Sequence, residues 1–360
     1  MRDGFLLDPD VTYLNHGGYG ACPRAVFDEY QRWQRELERE PTDFLARRLG
    51  PWFWESTEPS LIDDARAALA AFVGARARDL VFVPNATAAL NAVIRSLRVR
   101  PEEEILTTKH EYGAIVRTLA FIRANVVLCE PDEIVSHIGL RTRAILVSHI
   151  TSPTALRLPV EEVCEAARNA GVLSIVDGAH APGQIPLDIE AVGADVYAGN
   201  CHKWLCAPKG SGFLWARREH QEWIEPLVIS WGYREEASFG ERHGWQGTND
   251  PAAYLSVPRA IELHATFDLA ASLALADHAE ARLAELKLER LVGEPALLMR
   301  AMELPRRVDP ARLWRRLWEE HRVEVPVYDW REHPLLRVSI GPYNDEEDVE
   351  RLVTALAELL

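Results

Sequence analysis

The sequence is short of the features that most readily reveal a function. It has five cysteines in 360 residues, Cys22, Cys129, Cys164, Cys201 and Cys206. Cys201 and Cys206 are the one close pair, and CHKWLC has no second pair to complete a ligand set, so no metal site is expected. An odd and scattered set also argues against a disulfide framework and for a reduced, cytoplasmic chain. No apolar run approaches the length of a membrane span, so no membrane partner is expected. The opening MRDGFLLDPD lacks the apolar run of a secretory signal. Basic residues are outnumbered, 40 Lys and Arg against 55 Asp and Glu, giving a net charge of -15. A surface that acidic argues against non-specific nucleic-acid binding. Internal repeats and low-complexity segments are also missing.

What is present is alternation. DLVFVP, EEILTTKHEY, NVVLCE, RAILVSHI, VLSIVDGAH and DVYAGNCHK read as strands, mostly apolar runs. Between them NATAALNAVIRSL, GAIVRTLAFIRA and PVEEVCEAARNAG carry apolar residues at helical spacing. An earlier helix is expected from about Pro23 to Arg39, with Pro23 in its first turn. Ser60 is a candidate cap for the next helix. This order predicts an α/β fold: a large domain with a mostly parallel sheet covered by helices on both faces. Residues 256–291 read as one long helical stretch. The tail reads as a small α+β C-terminal domain, with Asp309 or Pro310 and Asp345 opening its helices. The expected division is an N-terminal segment 1–20 that contributes to the site and to the small domain, a large domain 21–255, and a C-terminal domain 256–360.

In such sheets ligands bind beyond the carboxyl ends of the strands. Asn85, Tyr112, Ser152 and Asp177 all fall at such ends. Asn85, Ala86 and Thr87 open a helix, where free backbone N–H groups can hold a phosphate. Asp177 ends a run too apolar to hold a charge idly. Lys203 follows the strand DVYAGNCH and precedes the turn APKGSG. An arbitrary lysine there is a surface lysine; a Schiff-base lysine needs a carboxylate, an aromatic plate and phosphate donors as company. This sequence supplies them. Of the eleven tryptophans, Trp52, Trp54, Trp204 and Trp231 are candidates for the pocket mouth, with core packing the competing role.

The motifs YLNHGGYGACP, NATAALNAV, HEYGA, SHITSPTALRLP, DGAHAPG, GNCHKWLCAPKGSGFLW, QGTNDPAAYLSVP and LLRVSIGPYN together make the chain resemble a known group. It is similar to the fold-type-I enzymes dependent on pyridoxal 5'-phosphate, in the class V aminotransferase family, and within it to the isopenicillin-N-epimerase-like branch. The resemblance implies that Lys203 carries the cofactor and moves the substrate's α-proton, and that Asp177 pairs with the ring nitrogen. It puts His180 near the ring oxygen or the substrate carboxylate, Ser152 on the ring oxygen and Tyr112 over the ring face. Ala86, Thr87, Asn200 and His202 match phosphate-side positions. Thr248 matches a residue that reaches the phosphate of a neighbouring subunit, so a homodimer with shared sites is implied. Arg337 matches the arginine that grips the substrate carboxylate; His16, Tyr19 and Arg48 are further substrate-side candidates.

The resemblance leaves the reaction open among an epimerase, a class V aminotransferase, a C–S lyase or other β-eliminating lyase, and a non-catalytic cofactor-binding protein. The epimerase follows the nearest resemblance. Desulfurases of this family place a nucleophilic cysteine shortly before the carboxylate-binding arginine, and DWREHPLLR has none.

Overall fold

The computed structural model describes residues 1–50, 60–291, 293–295 and 297–360, so Trp52 and Trp54 lie outside the described residues. Its main sheet has seven strands: β1 (Leu80–Val83), β2 (Glu104–Thr108), β3 (Asn125–Cys129), β4 (Thr142–Ser148), β5 (Leu173–Gly178), β6 (Val196–Asn200) and β7 (Gly212–Ala216). Their spatial order is β1-β7-β6-β5-β4-β2-β3. The pairs from β3 through β6 are parallel, and β7 runs antiparallel to both β6 and β1. Parallel neighbours need a long crossover. The loop 201–211 between β6 and β7 is too short for one, so the chain doubles back, and that loop carries Lys203.

Strands β5, β6 and β7 are buried along their whole length, as expected of a sheet covered on both faces. One core includes Leu106, Ile145, Val176, Tyr197 and Trp215; the other includes Leu90, Ile105, Leu146, Ile175 and Leu214. Alternate residues of one strand thus feed opposite faces.

A separate core holds Leu14, Leu283, Leu317, Leu336, Val338 and Leu352. It forms under an antiparallel sheet of Glu289–Arg290, Met299–Glu303, Val327–Trp330 and His333–Ser339. Helices Leu269–Glu285, Pro310–His321 and Glu346–Leu359 supply the rest of it. Strand Thr12–Tyr13 pairs in parallel with Val323–Glu324, which ties the N-terminal segment to this core.

The expected caps form. Ser60, Asp309 and Asp345 accept the amides of Asp63, Arg312 and Asp348. Pro23 sits one residue outside its helix, at the cap of Arg24–Arg39. The long helical stretch is in fact two helices, Val257–His264 and Leu269–Glu285. Asp268 interrupts it by accepting the Ala271 amide at 2.9 Å and starting a new helix. Among the described residues, no helix is long and apolar enough to cross a membrane.

The N-terminal segment crosses directly over the lysine loop, and Gly20 makes that possible. Its φ of 68° and ψ of 173° lie in a region nearly reserved for glycine. A Cβ there would come 1.9 Å from the His202 carbonyl oxygen. Lys209 Nζ donates to Gly20 O at 3.3 Å from the same loop. Gly20→Ala is therefore expected to cost about 2 kcal/mol or more, from strain and backbone overlap together. Urea unfolding checks this: an unchanged midpoint would show that the close crossing is not needed.

Candidate active site

The parallel strands end side by side and deliver their last residues to one place. Asp177 is the last residue but one of β5, paired in register with Ser148 of β4 and Ala198 of β6. It follows a run of buried apolar residues and is itself 4% exposed. Gly178 next to it lies against the Tyr197 ring, where a Cβ would come within 2.1 Å. The Asp177 carboxylate accepts the Ala179 amide at 2.9 Å. Burial raises its pKa, while that hydrogen bond and the charge of Lys203 oppose the rise.

Lys203 comes in from the β6–β7 loop. Its Nζ lies 3.0 Å from His180 Nε2. Burial lowers its pKa to about 7, assisted by the positive charge of Arg337 and opposed by Asp177. His180 is buried and held well below the ordinary histidine range, first by burial and then by Lys203, Arg337 and His202. Trp204 Nε1 donates to its other ring nitrogen, Nδ1, at 3.2 Å.

Beside this pair is the start of helix Ala86–Ser96. Asn85 caps it by accepting the Ala88 amide at 2.8 Å. The Ala86 amide donates to Asn200 Oδ1, also at 2.8 Å. The Thr87 amide between them has no acceptor among the described residues. Asn200 is thus occupied in fixing the helix to the end of β6. His202 Nδ1 bonds the Ser211 carbonyl at 3.1 Å, and burial brings its pKa down to about 4.

Arg337 reaches the site from the other sheet. It lies within strand His333–Ser339 and is 5% exposed. Nη1 donates to Ser152 O at 2.5 Å and to Ser152 Oγ at 3.1 Å. Nε is buried with no partner, and Nη2 has none among the described residues. Those two N–H groups form the side-on edge of the guanidinium, the edge that fits a carboxylate bidentately. A buried guanidinium with that edge unsatisfied is costly unless an anion fills it. Ser152, expected on the ring oxygen, here holds this arginine.

The remaining candidates are placed differently. Tyr112 stands at the N-terminus of helix Gly113–Phe121 and is 45% exposed. Tyr19 is 67% exposed, and Thr248 is exposed in the 245–250 loop. Arg48 is not brought to the cluster, since its guanidinium pairs with Glu36 at 2.5 Å. Nor is His16 free to meet a substrate. It is wholly buried, and its ring bonds Tyr343 OH and Lys203 O, each at 3.1 Å. A cavity of about 650 Å³ opens elsewhere, beside Arg66, Phe82, His243 and Tyr254; Lys203, Asp177, His180 and Arg337 do not line it.

Glu111 escaped the sequence reading. It is buried, with Thr108 Oγ1 donating to one oxygen at 2.7 Å and Ser148 Oγ to the other at 2.5 Å. Burial pushes its pKa up to about 7, and the nearby charge of Asp177 adds to the rise. Nothing in HEYGA separates this glutamate from a solvated one, because its partners come from different strand ends.

These residues fit a phosphorylated pyridine aldehyde: an amine, a buried carboxylate, a free helix-start amide and an open guanidinium edge. Comparison with known proteins gives the same answer. The family described as aminotransferase class-V matches residues 55–352. The chain belongs to that family. It is a pyridoxal-phosphate-dependent enzyme acting on an amino-acid substrate. It is 38% identical to isopenicillin N epimerase of Amycolatopsis lactamdurans, over 99% of this chain and 97% of that one. It is 36% identical to the enzyme of the same name from Streptomyces clavuligerus, with the same coverage. A probable chloroplastic L-cysteine desulfhydrase of Arabidopsis thaliana is 27% identical over 98% of this chain and 84% of its own length. Among solved structures, the cystine C–S lyase C-DES in complex with cysteine persulfide superposes with a TM-score of 0.81, covering 97% of this chain and 98% of that one. At 22% identity that likeness shows the fold alone.

Glu111 gives this class V enzyme a pH signature. Its folded pKa is raised, so the fold binds its proton more tightly than the unfolded chain does. The resulting stability is complete below about pH 4.5 and is lost as pH rises through about 7. Glu111→Gln removes that titration. Relative to the parent, the variant should gain up to roughly 3 kcal/mol between pH 4.5 and 8. Urea unfolding of both proteins across this range measures the gain; a constant difference would show that Glu111 stays ionised in the fold.

Proposed function

We propose that this enzyme inverts the α-carbon of an amino acid with a free α-carboxylate. The observation that carries the substrate class is the buried side-on edge of Arg337, without an acceptor and within electrostatic reach of Lys203. The inversion itself is supported by likeness to the isopenicillin N epimerases over 99% of the chain.

Each residue then has a task. Arg337 holds the carboxylate through Nε and Nη2, which fixes the direction of the Cα–H bond. Ser152 keeps the guanidinium from turning. Lys203, whose pKa is near 7, takes the α-proton as a free amine. Asp177 holds a proton on the ring nitrogen, and Thr87 offers its amide to the phosphate. The cofactor, when bound, supplies an electron sink for the charge left at Cα. Inversion also requires a proton to return on the face opposite Lys203.

A second reading, a C–S lyase that uses no enzyme thiol, is favoured by the likeness to cysteine desulfhydrases. Transfer of sulfur to a cysteine is disfavoured. The turn before Arg337 is a tight hairpin in which Trp330 pairs with His333, and it carries no thiol. Arg331 Nε ties it to Lys109 O at 3.1 Å. Burial raises the pKa of the Cys22 and Cys129 thiols to about 11, and those of Cys201 and Cys206 further.

Proton NMR in D2O over L- and D-amino acids, cysteine derivatives included, separates these readings. Deuterium at Cα with loss of optical purity supports the epimerase. Pyruvate with released sulfide or thiol supports the lyase, and keto acid formed only with an acceptor supports an aminotransferase. Arg337→Lys keeps the charge but loses the fork, so kcat/KM should fall about 10²-fold. If amines without a carboxylate exchange their α-proton as well as amino acids do, the role given to Arg337 is wrong.

The same reading makes the enzyme a homodimer. Leu227, Val228, Ile229, Trp231 and Tyr233 expose an apolar run, and Val228 lines the same cavity as Gln246 and Asn249 of the loop that carries Thr248. A second copy would cover that run and receive Thr248 at its phosphate. Sedimentation of the cofactor-loaded enzyme at micromolar concentration should give a dimer; a monomer that retains cofactor would refute this arrangement.

A further inference from the structure

We infer that Trp204 is a positioning residue: its indole N–H fixes the proton of His180 on Nε2, and this makes His180 hold Lys203 as a free amine. The inference deepens the reading of Lys203 as the cofactor lysine and rests on it.

The argument is one of donors and acceptors. An indole nitrogen can only donate. Trp204 Nε1 lies 3.2 Å from His180 Nδ1, so Nδ1 must accept. A neutral imidazole carries one N–H, and here it must be on Nε2. Lys203 Nζ is 3.0 Å from that same Nε2. An ammonium there would point a proton at a proton. A neutral amine offers a lone pair, and the contact becomes a hydrogen bond. A cationic His180 would satisfy Trp204 no better, because both ring nitrogens would then donate.

The surrounding charges agree. Lys203, Arg337 and His202 all disfavour a cationic His180 in its buried position. Arg337 also disfavours an ammonium on Lys203, and Asp177 acts in the other direction.

Trp204 is held firmly enough for this task. It is 3% exposed, and the His16 ring lies 5.0 Å away, centroid to centroid. A Cβ on Gly17 would come 3.2 Å from its Cζ2. His16 is itself fixed by Tyr343 OH and Lys203 O. The N-terminal segment therefore acts on the lysine through the indole and His180, which gives His16 a supporting place.

Capture of pyridoxal phosphate tests the inference in the full-length chain after the cofactor is removed. The free amine condenses with the aldehyde and releases one water, and the protonated amine does not attack. Trp204→Phe keeps the ring packing but removes the donor. His180 can then move its proton to Nδ1 and accept from an ammonium, which stabilises the charged lysine. The pH profile of capture should therefore shift upward by about one unit, roughly the effect of one buried hydrogen bond. Capture at pH 7 falls several-fold and recovers at high pH. A loss of equal size at every pH, with no shift, would mean that Trp204 only packs, and would overturn the inference.

A second measurement needs no variant of Trp204 to fold. Two-bond 1H–15N spectra of the histidine-labelled parent show which nitrogen of His180 is protonated, with the signal assigned by its loss in His180→Gln. A proton on Nε2 supports the inference; a proton on Nδ1 overturns it. Borohydride reduction and peptide mapping keep the two claims apart. An adduct on another lysine refutes the assignment of Lys203, whereas an adduct on Lys203 with a proton on His180 Nδ1 refutes the Trp204 inference alone.

Discussion

Asp177, Lys203 and Arg337 are buried close together, and among the described residues none of them has a direct ion-pair partner. Much of the architecture serves to maintain that condition. Charges removed from water cost several kcal/mol each unless paired, and here the fold withholds the pairing. Asp177 takes an amide, Arg337 a serine, and Lys203 a histidine. The site is electrostatically unfinished, and its open groups fit a ligand with an acidic group, a basic ring nitrogen and an aldehyde.

Holding three such groups apart requires a rigid frame. The parallel strands end in register, which sets Asp177 beside the β6 terminus where the lysine loop begins. The other sheet brings Arg337 across and anchors it on Ser152. Tyr328 OH bonds Pro153 O at 2.6 Å, and Arg331 bonds Lys109 O, so the same sheet grips the rim in several places. The N-terminal segment closes the arrangement from a third side through His16 and Gly20. No single sheet could hold this site, because its charges come from elements of both sheets.

Polar residues around the cluster divide by what they bond. Asn200 and Ser152 are acceptor and anchor for other protein groups. Arg337 Nε and the Thr87 amide are left open. Open donors in a buried setting mark where ligand atoms belong, since a fold seldom leaves them unsatisfied without a reason. Glu111 is a different case: its oxygens are satisfied by hydroxyls, and burial favours its protonated form, with the nearby charge of Asp177 adding a smaller push.

The sequence by itself determined the elements and the chemical class. Apolar runs set the strands, and caps at Ser60, Asn85, Asp309 and Asp345 set helix starts, because both effects act within a few residues. Asp177 stood out as a charge closing an apolar run, Lys203 through the residues that accompany it, and Arg337 through the family resemblance. Only the tertiary structure decided who meets whom. It gave His180 to Lys203 and Trp204, spent Asn200 on the Ala86 amide, gave Ser152 to Arg337, buried His16 as a brace and paired Arg48 with Glu36. It also made Glu111 a buried acid. Those outcomes depend on strand order and on how the two sheets meet, and such contacts join residues far apart in the chain, where local pattern carries no information.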